Sequence, residues 1–482
     1  MAAKKMSTFQ RLHAQHLNRK QKRALGRQLL ADDPALQVIH PNAAGIDVGN
    51  ESHFVAILSS RDADPIREFG SWTADLHKMA KWLKEHGITT VAMQSTGVYW
   101  IPVLEILEQY GIEVYLVNAH GTKNLPGRKT DVQECEWLRK LHTYGLLRNS
   151  FRPPEEIRSI RTIWRQRDRL VKESARSIQH MQKALTKMNV QLANAISDIS
   201  GETGMAIIRA ILEGKRDPWE LAKLRNNKIA ASEEEIANSL QGHWREDVLF
   251  ELRQTVEAYD FYQKQMLACD KELEKYTASI ETRTITHTQE LPENAIPLVS
   301  SKRTKKRKPR KKTHPNFELS GELERIMGVD LTRIDGIDVL TAQVIFSEIG
   351  TDFSAFPTEN HFASWLLLTP HREISGGKVI RHLPAKGRNR VANALRMAAQ
   401  SLTRSDSYLG ARYRRLRARL DGQVAIKAMA RYLACLVYRM ITKGQAYVDK
   451  GAAHYEIKRE EKERLALQKK AASLGLRLVA AN

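Results

Sequence analysis

The chain has 482 residues, with 77 Lys+Arg against 55 Asp+Glu, so its formal charge is 77 − 55 = +22 with histidines neutral. Its 42% hydrophobic content excludes wholesale disorder, and its length suggests roughly two to four domains, because single cores stop growing near ~250–300 residues. No apolar run approaches the ~18–20 residues of a membrane span, the basic first 28 residues lack the apolar stretch of a secretory signal, and Cys135, Cys269 and Cys435 have no metal-ligand spacing. The expectation is a cytosolic, nucleoid-associated protein without a membrane partner or disulfides.

The charge is blocky. Residues 4–27 carry eight Lys/Arg and no acid, residues 302–312 carry nine basic residues in eleven, and Lys378–Arg419 carries twelve with Asp406 as its single acid. Such blocks give a phosphate backbone many contacts, each releasing counterions. A merely solubilising surface is the alternative.

In chain order, residues 1–38 read as a basic extension. Ala43–Ser59 reads as a β-hairpin broken at Gly49-Asn50. Residues 74–86 have the spacing of an amphipathic helix, followed by a strand at Ile88–Met93, a helix at 102–110, a strand at Ile112–Asn118 and a helix from about Thr130 to Leu147. This order predicts an α/β domain with a mixed sheet over 39–152. Pro153-Pro154 ends it. A heptad seam then runs through Ile157, Ile160, Trp164, Arg167, Val171, Ser174, Ile178, Met181, Leu185, Met188 and Leu192. A second runs Leu249, Leu252, Val256, Tyr259 and, after a three-residue skip, Tyr262, Met266, Cys269, Leu273 and Tyr276. Together they predict a helical coiled-coil segment over 153–285, packed within one chain or between protomers. Residues 286–321 form a basic linker, and 322–445 a mostly helical domain. That domain opens on Leu331–Gly350, a helix-hairpin-helix-like stretch in which Asp338 replaces a glycine, so a structural and a phosphate-binding role both stand. The tail, 446–482, is charged and helical.

Asp47 lies inside an otherwise apolar strand, where a carboxylate is costly to desolvate unless something such as a cation compensates it. Asp131 and Glu134, at i and i+3, share a helix face, and oxygen ligands of this kind suit Mg²⁺. Thr130-x-x-Gln133 is also a capping-box pattern, with acids complementing the helix dipole. Further along, Ser375 precedes Gly376 and Gly377, with Lys378, Lys386, Arg388, Arg390 and Arg396 nearby. Glycine permits close backbone approach to a phosphate and the cations would stabilise a phosphorane-like transition state. An ordinary turn is the bland reading of the same triplet.

Four motifs in order, Gly45-Ile46-Asp47-Val48, Gln94-Ser95-Thr96-Gly97-Val98-Tyr99-Trp100, Gly127-Arg128-Lys129-Thr130-Asp131 and Pro370-x-x-x-x-Ser375-Gly376, resemble the DEDD-type insertion-sequence transposases of the number 110 family, in its longer 1111-like subgroup. The resemblance covers most of the chain. It implies a RuvC-like (RNase H-type) N-terminal domain whose four acids bind Mg²⁺ or Mn²⁺. Asp47 is the first, Asp131 the third and Glu134 the fourth, in place of the usual Asp; Gln94 stands where the second acid is usual, so the site loses one negative charge. The resemblance further implies that Ser375 is the nucleophile and forms a 5′-phosphoserine link to DNA. Arg128, Lys129, Gly376, Gly377, Lys378, Lys386, Arg388, Arg390 and Arg396 are then nucleic-acid contacts. A structured noncoding guide RNA would pair with donor and target DNA, and a homo-oligomer, a dimer of dimers, would build composite sites. Arg158, Arg161, Arg165, Arg167, Arg169 and Lys172 fit RNA contacts or an exposed coiled-coil face. The function so implied is excision and site-specific insertion of a mobile element. The rivals are a pilin-gene-type invertase, an inactive nucleic-acid-binding remnant and a RuvC-like hydrolytic nuclease.

Overall fold

The computed structural model describes residues 37–95, 97–118, 130–284, 313–376, 378–383, 387–444 and 451–476. They divide into two compact units. One holds the described residues up to Arg152 together with the segment from His371; the other holds Pro153–Pro370 and the remainder from Gly387.

The first unit is built on β1 (Ala43–Val48), β2 (Ser52–Ala56), β3 (Ile66–Gly70), α1 (Thr73–Glu85), β4 (Thr90–Gln94), α2 (Trp100–Gln109), β5 (Glu113–Val117) and α3 (Asp131–Thr143). The sheet order is β3-β2-β1-β4-β5. The first three strands are antiparallel neighbours and β1, β4 and β5 run parallel. β3 has no counterpart among the predicted elements: its sequence, Ile66-Arg67-Glu68-Phe69-Gly70, buries none of its residues fully, as befits an edge. The pleat sends alternate residues to opposite faces. Ala44, Ile46, Val48, Val91 and Met93 enter a core with Leu76, Met79, Leu83, Leu104 and Leu107 of α1 and α2. Gly45, Asp47, Thr90 and Gln94 therefore point the other way, toward α3. The approach of α3 is close: a Cβ on Gly45 would lie 2.2 Å from the Cys135 carbonyl oxygen and 2.3 Å from the Arg139 nitrogen.

A hairpin absent from the predicted elements also belongs to this unit, β6 (His371–Ser375) and β7 (Lys378–Leu383). Its register shifts between Glu373 and Ile374, a bulge that leaves Ile380 exposed. Glu373 and Arg381 pair across it at 2.5 Å.

In the second unit two 33-residue helices, α4 (Glu155–Lys187) and α9 (Glu246–Ala278), pack along their heptad seams. Between them α5 (Leu192–Ala195), α6 (Glu202–Leu212), α7 (Pro218–Ala222) and α8 (Glu233–Ser239) close the end of the pair through Ile207, Ile211, Leu221, Ile236 and Leu240. The three-residue skip expected after Tyr259 is absent. The seam continues in register through Gln263, Met266, Asp270, Leu273 and Thr277, with Asp270, Leu273 and Thr277 buried. Gln263 donates to Ser174 Oγ at 2.9 Å, and Asp270 takes Arg167. Polar residues at seam positions match one another instead of breaking the repeat.

The unit continues with α10 (Leu319–Met327), α11 (Val339–Ile349), α12 (Glu359–Trp365), α13 (Arg390–Ser401), α14 (Tyr408–Arg419), α15 (Gly422–Lys443) and α16 (Gly451–Ser473). The hairpin-like turn before α11 is structural. Gly336 has φ +89°, and a Cβ there would lie 2.6 Å from the Ala398 carbonyl. Asp338 Oδ1 accepts from the Thr341 nitrogen at 2.8 Å, placing a carboxylate where a phosphate would sit. No helix among the described residues is long and apolar enough to cross a membrane.

Candidate functional site

β1 and β4 end side by side. Their register places Ile46 opposite Met93, so Asp47 and Gln94 follow as neighbours on the α3 face. Asp47 is half-buried and Gln94 buried. The direction of α3 follows from its contacts. Cys135 and Arg139 cover Gly45, while His142 Nε2 lies 2.9 Å from Thr90 Oγ1 at the opposite end of the strands. Helix and strands are thus antiparallel, and two residues of strand, ~6–7 Å, correspond to about four residues of helix. The level of Asp47 is therefore the first turn of α3, where Asp131 and Glu134 stand.

That turn is a partial capping box. Thr130 Oγ1 accepts from the Gln133 nitrogen at 3.3 Å. Asp131, the first helical residue, is exposed; Glu134 is half-buried. Beneath Asp47 lies Cys135, a residue the motif reading passed over. Burial, and after it the Asp47 charge, pushes its thiol up to about 12, and its Sγ donates to the Val132 carbonyl at 3.1 Å. The sole sequence signal for it was its place one residue after Glu134.

An all-oxygen set suits a hard cation that takes one or two carboxylates and keeps several waters. Asp47 and Gln94 fit such an ion as the nearest pair of donors, with Glu134 and Asp131 on the helix above them. The set is looser than a four-acid cage: among the described residues no three His, Cys, Asp or Glu side chains gather to hold a metal. Asp47, Asp131 and Glu134 are thus not brought together as a three-acid group, and Gln94 brings an amide where the resemblance expects a further carboxylate.

Ser375 ends β6 and faces Lys378 across a two-residue turn. Gly376 has φ +55° with nothing within 4 Å of a Cβ position, and Ser375 is exposed. A positive φ at the first turn residue matches the twist of a hairpin turn, so the hydroxyl stands at an open tip flanked by backbone without side chains.

The basic residues separate into three groups. Arg128, Lys129, Gly377 and Lys386 lie outside the described residues. Lys378 begins β7, Arg388 is exposed and Arg396 is half-buried on α13. Arg390, and Arg165 and Arg167, expected as RNA contacts or an exposed helix face, have protein partners in the fold. Arg390 donates to Asp168 at 3.0 Å, Arg165 grips Glu348 through two bonds of 2.8 and 2.6 Å, and Arg167 is buried against Asp270.

The acid-bearing sheet end and the serine on a glycine turn each lie within a span that the comparisons match. Residues 44–190 match the DEDD-type IS110 transposase model, and residues 330–414 match the family described as Transposase IS116/IS110/IS902. The first span carries Asp47, Gln94, Asp131 and Glu134, the second the Ser375 hairpin. The chain belongs to the IS110 family of transposases. It is 30% identical over 129 residues to a Streptomyces coelicolor protein described as the insertion element IS110 uncharacterized 43.6 kDa protein. That match takes in 26% of this chain and 32% of the relative, about a third of its length.

Proposed function

We propose that this protein is a DNA transposase with a RuvC-like first unit, cleaving and rejoining strands through Ser375 with Mg²⁺ or Mn²⁺ at the acidic end of its sheet. The observation that carries this reading is that the two family-matched spans hold the two chemical parts: donors converging at the ends of β1 and β4, and a hydroxyl at an unobstructed glycine turn.

Ser375 Oγ forms a bond to the scissile phosphorus as the bond to the neighbouring 3′ oxygen breaks. The electron pair leaves with that oxygen, which takes the serine proton. Rejoining reverses the step with another 3′-hydroxyl, so bonds are conserved and no energy source is needed. A divalent cation supplies charge stabilisation at the phosphate oxygens. Asp47, Gln94, Asp131 and Glu134 would hold it, and Gly376 would let the backbone approach the strand. Composite sites between protomers, double-stranded donor and target DNA, and a structured guide RNA complete the proposal. Under it base pairing reads sequence while the protein holds backbone.

The test is to trap the serine–DNA adduct on nicked duplex substrates with Mg²⁺, with and without RNA transcribed from the DNA flanking the gene. The unaltered protein should form a denaturation-resistant adduct, and Ser375→Ala should form ~10³-fold less or none. Free ends without an adduct would identify a hydrolytic nuclease. Gln94 motivates one further reading, a binding remnant, and DNA binding without cleavage under all conditions would select it.

A further inference from the structure

We infer that the junction of α4, α11 and α13 is a seat for the phosphodiester backbone of a nucleic-acid duplex, built by Arg158, Arg161, Arg165 and Arg390 around the carboxylates of Glu348 and Asp168. The inference rests on the nucleic-acid reading above and adds a contact surface distinct from the Ser375 turn.

Arg158, Arg161 and Arg165 recur at i, i+3 and i+7, one stripe along α4 beside its buried seam. That part of α4 packs on α11, where a Cβ on Gly350 would lie 3.0 Å from Ile157. Glu348 of α11 is buried, and Arg165 engages both its oxygens. Arg390 of α13 comes within 3.9 Å of the same carboxylate and donates to Asp168, which Lys172 also holds at 2.7 Å. Five cations thus surround two carboxylates, a local excess of three. Among the described residues Arg161 has no carboxylate paired with it alone. Burial and the adjacent guanidinium groups of Arg165 and Arg158 hold it below the ordinary arginine range, with Glu348 only partly opposing them.

Guanidinium groups crowded together, Arg158 and Arg161 half-buried and Arg165 and Arg390 exposed, repel one another, and a purely structural clamp would match each with an acid. Glu348 instead holds the stripe together while leaving it net positive. A polyanion removes the repulsion without moving the helices, and Arg offers planar, bidentate geometry to phosphate.

The experiment measures binding of a DNA duplex and of an RNA duplex to the full-length protein by fluorescence anisotropy across a salt series. Each phosphate contact contributes about 0.9 to the slope of log affinity against log salt for DNA, and about 0.7 for single strands. Arg161→Ala should lower the slope by about one contact on whichever duplex is seated there, and Glu348→Gln should raise affinity by freeing Arg165. Circular dichroism confirms that both variants fold, and Arg158→Ala substitutes for either that does not. Unchanged slopes in Arg161→Ala and Arg158→Ala, with the unaltered protein still binding, would overturn the seat alone. Absence of binding by the unaltered protein to either duplex would overturn the nucleic-acid reading with it.

Discussion

Arg167 and Asp270 meet inside the seam between α4 and α9 as a buried ion pair whose remaining valences are met by backbone. Arg167 Nη1 donates to the Thr313 carbonyl at 2.9 Å, and Asp270 Oδ2 accepts from the Asn316 nitrogen at 3.0 Å. The pair sets the register of two long helices and ties the segment around Thr313 to them. Breaking one side strands the other charge in a dry interface. Asp270→Ala should therefore destabilise the helical unit by about 3–5 kcal/mol, whereas Arg167→Leu with Asp270→Leu should recover most of that loss. Urea melts followed by circular dichroism check both, and equal losses in the single and double variants would count against the pair.

Gly45 is where the acidic end is held together. A methyl group there must displace the backbone of α3 at Cys135 and Arg139, because both contacts lie below 2.4 Å. Gly45→Ala should cost several kcal/mol, or ~1–3 if the helix shifts as a body. It should also abolish strand cleavage while leaving DNA affinity within about twofold. A variant with normal cleavage would show that α3 does not position the acids.

His142 gives the first unit a pH signature. Burial, and then the neighbouring His40, lowers it from 6.5 to about 3; the two rings stack at 4.6 Å. The folded protein keeps it neutral while the unfolded chain takes up a proton below 6.5. Stability from this group is therefore present above pH 6.5 and is lost as pH falls toward 3, by up to about 1.4 kcal/mol per pH unit. His142→Gln should flatten that slope in melts between pH 4 and 6, expressed as roughly one proton fewer taken up on unfolding.

Gln94→Asp restores a carboxylate beside Asp47. Divalent-ion affinity follows the charge of the ligand set, so calorimetry should show Mg²⁺ or Mn²⁺ binding about tenfold tighter in the variant, and Asp47→Asn should remove binding in both backgrounds. Equal affinity in Gln94→Asp and the unaltered protein would place the ion elsewhere.

Local pattern made much of the architecture legible. The hairpin at β1–β2, the alternating strands and helices through α3 and the two heptad seams follow from periods of 2, 3.5 and 3.6 in apolar residues, each an interaction between near neighbours. β3 and the β6–β7 hairpin did not, because an edge strand and an exposed hairpin bury too little to leave an apolar pattern. The unbroken second seam was hidden for a related reason. Gln263, Asp270 and Thr277 look like surface residues until their partners on α4 are known.

The residue types near the candidate site were written in the chain itself: an acid in an apolar strand, a helix start rich in carboxylates, a serine before glycines. Tertiary packing decided their company. It set Gln94 beside Asp47 through strand register, aimed α3 by the bare face of Gly45, buried Cys135 near the Asp47 carboxylate, and paired Arg165, Arg167 and Arg390 with protein carboxylates. Charge on a sequence is only a sum, whereas pairing depends on which helix face meets which, and that is settled by contacts between residues a hundred or more positions apart.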